Sequence, residues 1–122
     1  MNSLALLLIF LGGGLGSVAR FAVTRITSLF YADKFPLATL ISNSLACLIV
    51  GIILFVFKDK INESDNLKNL WIIGFCGGFS TFSAFSHQTV KLLQDGFLFL
   101  AVLNVVLSIG IGFGIIFFFV KS

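Results

Sequence analysis

The chain has little charge and few of the residues that usually carry chemistry. Only 11% of its 122 residues are Asp, Glu, Lys or Arg and 58% are hydrophobic, whereas an ordinary soluble domain is about a quarter charged. This is the composition of a membrane protein, with length for one domain and no separate soluble module. His87 is the single histidine, which excludes a histidine metal cluster; it is expected as an interfacial polar residue near a span end. Cys47 and Cys76 stand 29 positions apart, each in an apolar run. Thiolate metal sites need closely spaced pairs, so both are expected to be small buried packing residues. One Tyr and one Trp accompany sixteen Phe, leaving few amphipathic rings for an interfacial belt. Carboxylates are the most consequential absence: none of the five lies deep in an apolar segment.

A helix needs about 20 apolar residues to cross a bilayer, and four segments qualify: roughly 4–30, 36–57, 69–92 and 97–120. They make one four-helix transmembrane domain over 1–122, an all-α fold. Leu4 to Leu11 has the look of a leader's apolar core, and Ser17-Val18-Ala19 of a cleavage site. No Lys or Arg precedes that run, so the first span is expected to stay. Pro36 suits the first position of the second helix. KDKINESDNLK, the only strongly polar stretch, is expected as the one exposed loop, and Asp95-Gly96 as a tight turn.

The net charge of +3 comes from Lys and Arg near span ends, so it reads as a topology signal and not as a nucleic-acid patch. With four spans, the middle loop and both termini share one side, carrying Lys58, Lys60, Lys68 and Lys121; the other side carries Arg25, Lys34 and Lys91. Four against three is almost no bias. Such a chain can insert either way up, and opposite copies can pack as an antiparallel dimer; a single orientation fixed by the weak bias is the alternative. Gly12 and Gly16, Gly74 and Gly78, and Gly110 and Gly114 are GxxxG pairs, which let helix backbones approach closely. Gly12-Gly13-Gly14-Leu15-Gly16 is no nucleotide loop, because it lies mid-span with no strand before it.

Polar groups inside spans are expensive unless they face protein or water. Here they are Arg20, Thr39, Ser42, Asn43, Ser80, Thr81, Ser83, Ser86, Asn104 and Ser108. Thr39 and Asn43 share a helical face, as do Asn104 and Ser108; helix–helix glue is the plain reading of such pairs. A cation or proton path ordinarily shows a buried carboxylate. This inventory is a guanidinium, amides and hydroxyls, all able to donate hydrogen bonds, and so suits an anion. Phe75, Phe79, Phe82 and Phe85 fall on one stripe of the third helix. Their positively polarised ring edges can face an anion, although interface packing is the commoner use of such a stripe. Each of Gly77 and Gly78 weakens a helix interior by about 1 kcal/mol, so a break is expected there, lining a cavity and freeing carbonyls.

These segments together, GGGLGSVAR, Pro36-x-x-Thr39-Leu-x-x-Asn43, GFCGGFSTFSAFS and LNVV, resemble the Fluc (CrcB-type) fluoride channel family over the whole chain. The resemblance implies a dual-topology homodimer in the cell (inner) membrane, bacterial in source, with two antiparallel pores for fluoride. It implies a structural sodium ion at the dimer centre, held by the main-chain carbonyls of Gly77 and Ser80. Phe82, Phe85 and Asn43 would meet the anion, with Thr39, Thr81, Ser83 and Ser108 adding to a polar track. Arg20 would set a positive potential near the vestibule. Many relatives carry Glu where this chain has Gln88, and several carry serine where it has Gly112, so those roles do not transfer.

On this reading the protein is no enzyme and conducts fluoride passively out of the cell, relieving its toxicity. A small four-span drug exporter is the first rival, but proton-coupled export of cationic drugs calls for a membrane carboxylate. A membrane assembly factor using the GxxxG pairs and the Phe stripe as interfaces is the second.

Overall fold

The computed structural model describes residues 2–121, the side chain of Asn62 excepted. Its regular structure is all helix: α1 (Ser3–Phe30), α2 (Leu37–Val56), α3 (Lys58–Glu63), α4 (Asp65–Leu67), a π-helical stretch (Lys68–Cys76), α5 (Gly77–Phe79), α6 (Phe82–Gln94) and α7 (Leu98–Lys121). α1, α2 and α7 are each long and apolar enough to cross a membrane. The region of the expected third span runs helically from Asp65 to Phe79, stops, and restarts at Phe82. Neither half has the length of a span by itself.

Local chemistry sets the ends. Asn2 Oδ1 accepts from the Ala5 N–H at 2.7 Å and caps α1. Pro36 stands immediately before α2, one place ahead of the expected position. Gly96 adopts φ +87°, the left-handed region that glycine enters at no steric cost. Its N–H bonds Leu93 O at 3.2 Å while the Phe97 N–H bonds Leu92 O at 2.8 Å, closing α6 with a Schellman motif. The turn expected at Asp95-Gly96 is therefore present.

The polar connection between α2 and the third span, KDKINESDNLK, is mostly exposed as expected, but it is helical and not a loop. It coils into α3 and α4, with Ile61 only 2% exposed and Ser64 Oγ capping the Leu67 N–H. Ile61 and Leu67, the two apolar residues of the segment, line one cavity with Ile53, Phe57 and Trp71, and their burial favours folding the segment back onto the bundle.

α1 packs chiefly on the π-helical stretch and α5, while α2 packs on α7. The first contact is built on glycine. A Cβ at Gly12 would strike Leu70 O, one at Gly16 would strike Phe75 O, and one at Gly78 would strike Gly13 O. Two of the three GxxxG pairs thus face each other, backbone against backbone. A Cβ at Gly110 or Gly114 would meet nothing within 4 Å in the chain. Cys76 is buried as expected, Cys47 is only half-buried, both are free, and a Cβ at Gly112 would lie 3.3 Å from Cys47 Sγ.

Candidate functional site

The third span breaks at Ser80 and Thr81, near the glycine pair but not at it. Gly77 and Gly78 are helical, and Gly78 serves close approach to α1. Ser80 (φ −85°, ψ 159°) and Thr81 (φ −153°, ψ 116°) are extended. Asn43 of α2 holds them there: its Oδ1 accepts from the Thr81 N–H at 2.8 Å and its Nδ2 donates to Thr81 O at 3.3 Å. Thr81 Oγ1 in turn accepts from the Ala84 N–H at 3.1 Å, capping α6, and lies 3.2 Å from Ser83 Oγ. A buried backbone group left unpaired costs about 1–3 kcal/mol, so one side-chain amide and one hydroxyl make the break affordable.

The same bonds redirect the helical ladder. In a continuous helix the Gly77 carbonyl would accept from the Thr81 N–H, and the Ser80 carbonyl from the Ala84 N–H. Both donors are turned to side-chain oxygens. The intervening Gly78 carbonyl accepts from Arg20 Nε at 3.2 Å. Arg20, expected as a source of potential at the vestibule, thus lies half-buried at the break and satisfies a carbonyl there. Ser80 Oγ donates to Cys76 O at 2.8 Å. The residues named for sodium and the first-span arginine are brought to one place.

The expected single stripe of phenylalanines is two groups. Trp71, Phe75 and Phe79 pack in series before the break, with ring centroids 5.9 and 5.6 Å apart, and Phe79 is 4% exposed. Phe82 and Phe85 pair after it at 5.8 Å, and Phe82 is 79% exposed. Two extended residues between the groups reset the helical phase, so spacing across the break no longer predicts a shared face.

Thr39 sits one turn before Asn43 on α2, half-buried. Ser108 is joined to this region only indirectly. Its Oγ donates to Asn104 Oδ1 at 3.4 Å, Asn104 Nδ2 donates to Thr89 Oγ1 at 2.9 Å, and Thr89 Oγ1 donates to Phe85 O at 2.7 Å. Asn104 is 1% exposed. Thr89 was absent from the polar inventory read from the sequence, although its i, i+4 spacing from Phe85 was available. Gln88 Oε1 and Ser42 Oγ are buried without a hydrogen-bond partner.

The model of the family described as "CrcB-like protein, Camphor Resistance (CrcB)" matches residues 7–120. Proteins named "Fluoride-specific ion channel FluC" are similar over most of their length. One from Coxiella burnetii (strain CbuK_Q154) is 42% identical over 106 residues, 86% of each chain. One from Flavobacterium psychrophilum is 42% identical over 105 residues, 85% of this chain and 84% of its own. One from the archaeon Pyrococcus abyssi is 39% identical over 109 residues, 89% and 87%.

Proposed function

The chain belongs to the CrcB-like family, and on that premise we propose that it is a membrane channel that lets fluoride pass down its electrochemical gradient. The observation that carries the reading is the break itself: a polar turn held by Asn43, flanked by the Phe82–Phe85 pair, in spans that contain no carboxylate. Taking a carboxylate-sized ion into a medium of low dielectric costs about 20 kcal/mol in the idealised limit, and a smaller anion costs more. Several preorganised donors must replace its water, none holding it so strongly that it stays. An amide carries two N–H donors, and Asn43 gives one to Thr81 O; the second remains for an anion. The hydroxyls of Thr39, Thr81 and Ser83 extend a graded track, whereas Ser108, expected in it, gives its one proton to Asn104; the edges of Phe82 and Phe85 supply weaker positive charge.

The finer reading is an antiparallel homodimer of oppositely inserted copies, which the near-balanced charge supports. A second copy would cover the Phe82 ring that a single chain leaves 79% exposed. The Gly77 and Ser80 carbonyls fit a small hard cation: they are oxygen donors released from the helical ladder at a helix break, the chemistry by which unwound membrane helices hold sodium. Sodium there would fix the backbone of the two copies at the dimer centre and is no part of the anion's path. The bilayer assigned is the cell (inner) membrane.

Fluoride efflux from liposomes containing the purified protein tests the function. Rapid efflux with chloride retained is expected; vesicles tight to fluoride, or equal chloride flux, would overturn it.

A further inference from the structure

We propose that Asn104 and Thr89 are positioning residues of the conduction path: a buried hydrogen-bonded clamp from α7 to α6 that fixes the backbone of Phe85 and so the place of its ring. The inference rests on the conduction reading above. α6 is a short helix of 13 residues, Phe82–Gln94, separated from α5 by the extended residues Ser80 and Thr81. No helical backbone bond across the break sets its height or its rotation. Its N-terminus is held from α2, by Asn43 on Thr81. The second hold comes from α7 two turns further on, where Asn104 Nδ2 donates to Thr89 Oγ1 at 2.9 Å. Phe82 and Phe85 lie between these two points.

The protons along the clamp run one way. Thr89 has a single hydroxyl proton and gives it to Phe85 O at 2.7 Å, so toward Asn104 it can only accept. Asn104 donates to Thr89, and its Oδ1 accepts the Ser108 proton at 3.4 Å. Asn104 is 1% exposed, deep in an apolar interior where an amide without partners is costly. Its side chain is therefore bound to this geometry, and the Phe85 carbonyl is tied through Thr89 to α7. Without the clamp, α6 would keep its N-terminal hold and gain freedom to rotate about it. The ring of Phe85 would then move relative to the donors on Asn43 and Thr81.

Four variants test the clamp in the full-length protein reconstituted in liposomes, with fluoride and chloride efflux and the detergent-solubilised assembly measured for each. Thr89→Val, which removes the hydroxyl at nearly constant volume, is expected to slow fluoride efflux at least tenfold and to lower the fluoride-to-chloride ratio. Asn104→Leu should behave alike, and the double variant should be no slower than the slower single one. Thr89→Ser, which keeps the hydroxyl, should stay within twofold of the unmodified protein. Should Thr89→Val fail to assemble, Thr89→Ala reads the same bond without added bulk. Unimpaired efflux in Thr89→Val or Thr89→Ala, impairment of Thr89→Ser equal to that of Thr89→Val, or losses that multiply in the double variant would each overturn the clamp. Unmodified protein that passes no fluoride would instead remove the conduction reading on which it rests.

Discussion

Asn43 is the residue at which an observed structural role and the proposed conducting role meet. Its amide closes both backbone groups of Thr81, so Asn43→Leu leaves them without that partner. The expected outcome is a loss of about 1–3 kcal/mol in stability, read as a lower melting temperature of the detergent-solubilised protein, together with loss of fluoride efflux. Phe82 and Phe85 separate the channel from an assembly protein that uses the same rings as an interface. Ile in place of either keeps apolar bulk and removes the ring edge, so flux should fall at least tenfold while size-exclusion behaviour is unchanged; dissociation of the assembly would favour the interface reading. Gly112 lies against Cys47. Cys47 Sγ stands where a side chain at 112 would project, 3.3 Å from the missing Cβ. Gly112→Ser therefore overpacks this contact, at an expected cost of about 1–3 kcal/mol, and Cys47→Ala in the same chain should recover most of it in the same melting assay.

At the scale of elements, the α1 contact rests on which glycines face a backbone. A Cβ at Gly16 would lie against Phe75 O and 2.8 Å from Phe79 N, atoms held by their own helices, whereas one at Gly14 meets nothing within 4 Å. Gly16→Ala is thus expected to reduce folded yield and thermal stability. Gly14→Ala should be neutral or gain up to about 1 kcal/mol from helix propensity, both checked by fluorescence-detected gel filtration after heating. The sequence spacing made the Gly12–Gly16 and Gly74–Gly78 pairs legible, because GxxxG marks one helix face whatever its partner. Long apolar runs and the Asp95-Gly96 turn were legible for the same reason: each is a local property. The position of the break was not. Two glycines lower helix stability at 77 and 78, but the chain opens where a side chain from α2, 38 residues away, takes the Thr81 N–H. That long-range bond also divides the phenylalanine stripe, which periodicity alone reads as continuous. Thr89 was missed because a lone threonine near a span end carries no signal until Asn104 is seen against it.

For the whole molecule, the consequential property is the small difference in positive charge between the two ends of the bundle. Lys58, Lys60, Lys68 and Lys121 oppose Arg25, Lys34 and Lys91, four against three, and orientation follows Lys and Arg in short loops far more than Asp or Glu. Glu63→Lys with Asn66→Lys makes the count six against three and should drive nearly all copies to one orientation. Lys58→Gln, Lys60→Gln and Asp33→Lys make it two against four and should drive them to the other. These positions make none of the hydrogen bonds of the break or of its clamps. A C-terminal reporter active on only one side of the membrane reads the orientation, and fluoride efflux from cells reads the channel. If function needs oppositely inserted copies, each set expressed alone should abolish efflux, and expressing both together should restore it. Efflux that persists in either set alone would mean that parallel copies, or single chains, conduct. Efflux lost in both and not restored, with each reporter showing the intended orientation, would mean that the charge changes act on something other than topology.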